Sequence, residues 1–205
     1  MTITHTLIII GITAVISFVA FSSRQLKAQL IFYPPAIKRG QLYRFITYGL
    51  IHADMGHLLF NMFTLYFFGN AIEDLYQPFL GGFGFVAFYV LALIASIIPS
   101  YLANINNPAY ASLGASGAVS AVLFAYILIA PWNMLYIFGA VPIPAIVFAI
   151  GYVIYSLYAQ KKAQDNVNHG AHLWGAVFGI SATILLYPQL VNRFIKLLLN
   201  PPFLG

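Results

Sequence analysis

Long apolar runs separated by short polar breaks dominate this sequence. The runs fall at about 5–22, 56–73, 82–103, 114–130, 136–158 and 170–187. Between Leu75 and Gln160 there is no Asp, Glu, Lys, Arg or His at all. A helix of roughly 20 apolar residues crosses the hydrocarbon layer of a bilayer, so that uncharged stretch alone can hold three crossings joined by short loops. The pattern predicts an all-α membrane protein, a bundle of six transmembrane helices. The breaks "NINNPAY" (104–110) and "KKAQDNVN" (161–168) are polar and turn-rich, and Pro142 and Pro144 are expected to distort the start of the fifth span. Ser23 to Asp54 is longer and mixes Phe32, Tyr33, Leu42, Tyr43 and Phe45 with Arg24, Lys27, Lys38, Arg39 and Arg44. Such a mixture suits a long loop lying in the membrane interface between helices 1 and 2. The tail from Gln189, with Arg193 and Lys196 among leucines, reads as a short interfacial helix. No repeat and no domain boundary is visible. The expectation is one membrane domain over 1–205, with a core of about 40–187 and a tail of 188–205.

Composition narrows the possibilities. Of the 205 residues, 61% are hydrophobic and 6% charged, against about 25% charged in soluble domains. The formal charge of +5 rests on nine scattered basic residues, which is no nucleic-acid surface. Cysteine is absent, which excludes disulfides, thiolate chemistry and Cys-based metal sites. No Lys or Arg precedes the run Leu7 to Phe21, so it reads as a retained span and not as a cleaved signal.

Polar groups inside spans are costly, which makes each a functional candidate. Four of the five histidines sit in "HADMGHLLFN" (52–61) and "NHGAHLWGAVFG" (168–179). On a helix His57 and Asn61 share a face at i and i+4, while His52 belongs to the preceding turn. His172, Gly175 and Gly179 follow i, i+3, i+7, and Gly117, Ala121 and Ala125 form a matching bare strip in the fourth span. Two bare strips allow close helix approach, and that approach would carry His172 to Ser116. A serine hydroxyl needs a positioned base, and a neutral imidazole suits that role. The oxyanion then needs donors. The first turn of the fourth span offers free N–H groups beside Ser116, and His57 and Asn61 can add side-chain donors. The pattern suggests a Ser–His dyad that needs no cofactor. An orienting acid is missing, unless Asp165 folds back from its loop.

Other readings of the same residues exist. His52, His57 and His172 could form a three-His metal site, although there is no HExxH and no carboxylate within a span. Serine and histidine could also serve only as hydrogen-bonding glue between helices.

"HADMGHLLFN", "GASG" (114–117) and "AHLWGAVFG" (171–179) resemble, in order, the H-x4-H-x3-N, G-x-S-G and A-H-x2-G-x3-G motifs of rhomboid intramembrane serine proteases. "YRFITYGLIH" (43–52) is similar to the family's Trp-Arg segment, with Tyr43 in place of Trp, and "GNAIE" (69–73) to its ending of the second span. The resemblance covers about residues 40 to 180. It implies Ser116 as nucleophile, His172 as general base, and His57 and Asn61 with the Ser116 N–H as oxyanion hole. It gives His52 a supporting role. Gly114 and Gly117 would keep the serine accessible, and Gly175 and Gly179 would let helices touch. Many family members stack an aromatic residue, four positions after the serine, on the histidine. Ser120 stands there in this chain, which leaves Trp174, Tyr126 or a water to hold the ring.

The implied activity is hydrolysis of peptide bonds in or near transmembrane segments of other membrane proteins, with the lipid bilayer as surroundings and no metal. The fifth span would flank the side where a substrate helix enters. Substrates with small or helix-breaking residues near the cut are what the family implies. The charge bias alone would place the loops at 23–55 and 159–169, with seven of nine basic residues, in the cytoplasm. The resemblance implies the reverse, a cytoplasmic N-terminus and a site opening outward, in a bacterial-type inner or plasma membrane. Two competing functions are an inert rhomboid-like scaffold that binds transmembrane helices and a His-based metal or ion transporter. The transporter would normally show mid-membrane carboxylates or an internal repeat, and neither is present.

Overall fold

A computed structural model describes residues 3–137, 140–162 and 167–202. Asp165 lies outside the described residues. Helix α1 (His5–Ser22) is followed by three short helices, α2 (Arg24–Leu30), α3 (Pro34–Lys38) and α4 (Arg44–Thr47), and a 3₁₀ turn at Tyr48–Leu50. The long helices α5 (Met55–Leu80) and α6 (Phe83–Asn104) lead to α7 (Ser116–Ile129). An antiparallel hairpin, β1 (Met134–Ile137) with β2 (Val141–Pro144), then precedes α8 (Ala145–Lys162), α9 (His169–Leu186) and α10 (Gln189–Leu199).

The protein is mostly helical. Among the described residues, three helices, α1, α6 and α9, are long and apolar enough to cross a membrane. Helix α7 is apolar but has only 14 residues. The expected fifth span, 136–158, begins later than its apolar composition suggested. Residues 134–137 pair with 141–144, Met134 opposite Pro144, and the helix starts at Ala145. Pro142 and Pro144 explain this, because proline lacks the N–H an interior helical turn needs and its ring crowds the turn before. Helix α5, the expected second span, runs past Glu73 to Leu80, with Pro78 inside it.

Helix α7 is the centre of the bundle. Every residue from Gly117 to Leu128 is buried apart from Tyr126. A helix apolar on every side belongs in a core. Helices α1 and α8 instead expose apolar residues outward, among them Val15 and Phe18 on α1 and Ile150 and Ile154 on α8. Such faces suit contact with lipid. Helix α1 is held to α5 by polar groups. The Glu73 carboxylate accepts hydrogen bonds from the backbone N–H of His5 and Thr6 at 2.8 and 2.9 Å and from the Thr6 hydroxyl at 2.8 Å. A carboxylate on the first N–H groups of a helix satisfies donors that have no partner within it.

The 23–54 segment does more than lie on a surface. Phe32, Ala36, Ile37, Tyr48 and Ile51 are all buried, and so is Arg44, whose guanidinium donates to the carbonyls of Ala28 and Ile31 and to Gln41. Phe32 exchanges two backbone hydrogen bonds with Ser112, at 3.0 and 3.1 Å, and the Tyr48 carbonyl accepts from the Gly114 N–H at 2.9 Å. The segment thereby fixes the strand of chain that leads into Ser116.

Candidate active site

Ser116 is the first residue of α7, and its approach depends on Gly114. That glycine has φ +111°, a left-handed conformation that costs other residues strain. A Cβ there would also lie 2.5 Å from His57 Cε1. Helix α7 starts without a side-chain cap, so no capping side chain claims its first N–H groups.

His172 sits one turn into α9. Asn168 caps that helix by accepting from the Ala171 N–H at 3.0 Å, and its amide donates to Ser100 and Tyr110 at 3.0 and 2.9 Å. The cap therefore ties the start of α9 to α6 and to the loop before Ser116. Helices α7 and α9 then pack with almost no side chain between them. A Cβ on Gly175 would run into the Gly117 carbonyl, and one on Gly179 into the Ala121 carbonyl. Close backbone approach needs bare positions on both partners. The result is a hydrogen bond of 2.7 Å between Ser116 Oγ and His172 Nε2.

Gly117 is itself closely packed. Its missing Cβ would clash with Ser96 Oγ on α6 and lie 3.3 Å from the Ala171 carbonyl.

His52 stands behind the site, buried at 1% exposure. Its Nε2 accepts from the Ala115 N–H at 3.3 Å, and its Nδ1 meets Ser17 Oγ at 2.9 Å while that hydroxyl donates to the Leu50 carbonyl. Those partners require a neutral ring that donates from Nδ1. Burial pushes the imidazole down to about 3, in agreement with that tautomer. The ring also meets His57 edge-on, with centroids 4.9 Å apart. His57 and Asn61 share the wall of the cleft with Ser116 and His172. Asp54 caps α5 by accepting from the His57 N–H at 2.8 Å, and Asn61 Nδ2 donates to the His57 carbonyl at 2.9 Å, which uses one of its two amide hydrogens.

The histidine ring has an aromatic neighbour that the sequence did not reveal. Tyr152, on α8, stacks on His172 with centroids 6.1 Å apart and planes 26° apart. Its hydroxyl meets Ser120 Oγ at 2.6 Å. Trp174 is half exposed, and Tyr126 packs on Phe68 and accepts from Asn133. A signal for Tyr152 did exist. Ala145, Ala149, Ser156 and Ala159 mark the inward stripe of α8, and Tyr152 falls on it.

These side chains open into one cleft of about 2130 Å³. Leu59, Phe60, Phe63 and Phe67 of α5 and Phe148 and Tyr152 of α8 are among the residues that line it. Among the described residues no group of three or more His, Asp or Glu is gathered so as to hold a metal ion.

A family description, the Rhomboid domain, matches residues 39–189. RHOMBOID-like protein 12, mitochondrial, of Arabidopsis thaliana is 34% identical over 150 residues, covering 68% of this chain and 45% of that protein. Presenilin-associated rhomboid-like protein, mitochondrial, of Homo sapiens is 33% identical over 135 residues, covering 63% and 34%. Rhomboid protease GluP of Bacillus subtilis is 29% identical over 167 residues, covering 80% and 30%. The match thus spans less than half the length of each of these relatives. Their names place relatives in mitochondria as well as in a bacterium, so the likeness supports an integral membrane protein without supporting a bacterial compartment. With the domain matched over most of its length, the chain belongs to the rhomboid family.

Proposed function

We propose that this protein is an intramembrane serine endopeptidase, built as a six-span bundle in one membrane domain. The observation that carries this reading is the 2.7 Å contact of Ser116 Oγ with His172 Nε2 inside a cleft lined by α5 and α8 among other elements. The name of the Bacillus subtilis relative, a rhomboid protease, supports it.

In the proposed reaction Ser116 Oγ attacks the scissile carbonyl while His172 Nε2 takes its proton. The charge on the carbonyl oxygen is met by the N–H groups at the start of α7 and by His57 and Asn61. His172 returns the proton to the departing amine, which leaves an ester on Ser116. Water, deprotonated by the same imidazole, hydrolyses that ester. The substrate is a membrane protein whose transmembrane segment reaches the cleft from the lipid side. Depth follows from length. Fourteen residues of α7 at about 1.5 Å each make a helix of about 21 Å, against about 30 Å of hydrocarbon. Ser116, at its end, lies below the surface, and polar groups of the cleft would bring water down to it.

Purified protein in detergent should be treated with a fluorophosphonate probe. Wild type is expected to label, and Ser116→Ala and His172→Ala to lose about 10³-fold or more of the rate. Folded wild type without labelling, or equal labelling of Ser116→Ala, would leave a scaffold that binds transmembrane helices.

A further inference from the structure

The Ser–His pair lies on α7 and α9; the His169 ring, on α9 itself, meets His172 edge-on at 5.8 Å, but the ring stacked on His172 comes from a third helix. Tyr152 is held at several points. Its hydroxyl is 2.6 Å from Ser120 Oγ, its ring packs on Phe124 and Phe148 with centroids 5.6 and 5.9 Å apart, and its face lies on the imidazole. Ser120 is one turn beyond Ser116 on α7 and is buried. A phenol oxygen on that serine thus sets where the tyrosine ring stands relative to the nucleophile's own helix.

The geometry points to Tyr152 as the positioning residue of His172, with Ser120 as its anchor. This rests on the proposed protease reading. An imidazole that must accept a proton from Ser116 has to keep its Nε2 aimed at Oγ, and rotation about its side-chain bonds would spoil that aim. Stacked planes restrict such rotation. An aromatic face also attracts the positive charge that the ring gains in the reaction. Tyr152 further lines the cleft. The orientation of the base therefore depends on α8 being seated against α7 and α9, and a chain entering beside α8 touches the residue that holds it.

The test is the rate of fluorophosphonate labelling of Ser116 as a function of probe concentration, which separates the limiting rate from half-saturation. Misplacing a reacting group by about 1 Å can cost roughly 10²-fold. Tyr152→Leu is expected to lower the limiting rate about 10–100-fold, with half-saturation and melting temperature nearly unchanged. Tyr152→Phe should recover most of that loss. Ser120→Ala should cost a few-fold alone and nothing further in the Tyr152→Phe background. A folded Tyr152→Leu variant with the wild-type limiting rate would overturn the proposal, as would Tyr152→Phe being as slow as Tyr152→Leu. If Tyr152→Leu does not fold, the second pair decides, and additive losses from Ser120→Ala and Tyr152→Phe overturn it. Wild type that fails to label at Ser116 would remove the protease reading itself. Normal wild-type labelling with indifferent Tyr152 variants would remove only this one.

Discussion

Helices α7 and α8 both contribute a contact to His172 and its surroundings, yet they are held in opposite ways. Helix α7 is buried almost throughout and meets α9 backbone to backbone. Helix α8 buries Ala145, Ala149, Ser156 and Ala159 and turns Val147, Ile150, Ile154 and Leu157 outward. Nothing lies within 4 Å of where a Cβ on its Gly151 would stand. The distance that matters most to the proposed chemistry, Ser116 to His172, is thus set by the rigid half. The aim of the imidazole is set partly by the loosely packed half. Precision and access make different demands on packing, and the bundle separates them onto different helices.

The largest effect should come from the rigid side. Gly175→Val places branched carbons where the Gly117 carbonyl now sits, and backbone cannot swing aside as a side chain can. Overpacking of this kind costs about 3 kcal/mol or more. Unfolding in detergent by added denaturant should show a greatly lowered midpoint, and probe labelling should fall with it. An unchanged midpoint would break the comparison, because α7 and α9 would then have slack to give.

That contact was also the most legible feature of the chain. Gly117 and Ala121 on one helix, and Gly175 and Gly179 on the other, lie at helical spacing within short stretches, so their faces are readable from local periodicity. The pairing of 134–137 with 141–144 was not, since a short apolar run serves a strand as well as a helix. The packing of 23–54 was hidden for another reason. Its interfacial look comes from composition, whereas the pairing of Phe32 with Ser112 joins residues far apart in sequence. Tyr152 is hidden because it comes from a separate helix, beyond the reach of the local periodicity around Ser116 and His172. Ser120 is involved, but as the hydroxyl that receives a ring from another helix.

A smaller effect should appear in the dependence of stability on pH, again on the α7 side, where His52 accepts from the Ala115 N–H. Burial pushes its imidazole from an ordinary 6.5 to about 3. Between those values the folded protein leaves the ring neutral, while the unfolded chain takes up a proton. The stabilising contribution is therefore complete above pH 6.5 and is lost as pH falls toward 3. A single such group changes stability by about 1 kcal/mol per pH unit. Unfolding midpoints measured from pH 7.5 to 5 should fall for wild type and fall less for His52→Gln, which keeps an acceptor for Ala115. Parallel slopes would mean that the ring is not held neutral behind the site.

The smallest effect belongs to α8 and completes the contrast. Gly151→Ala adds a methyl group to a helix interior where there is open space. Alanine is favoured over glycine in a helix by about 1 kcal/mol, partly because the unfolded chain loses freedom. The substitution should leave stability unchanged or raise it by up to about 1 kcal/mol, read as a slightly higher midpoint. Its neighbour Tyr152 adds a sharper readout, because a stiffer α8 should hold that ring no worse and leave the limiting labelling rate within about two-fold, far below one decade. A marked loss of stability would show that α8 packs against something at Gly151, and the division between a rigid and a loose half would then fail on the loose side.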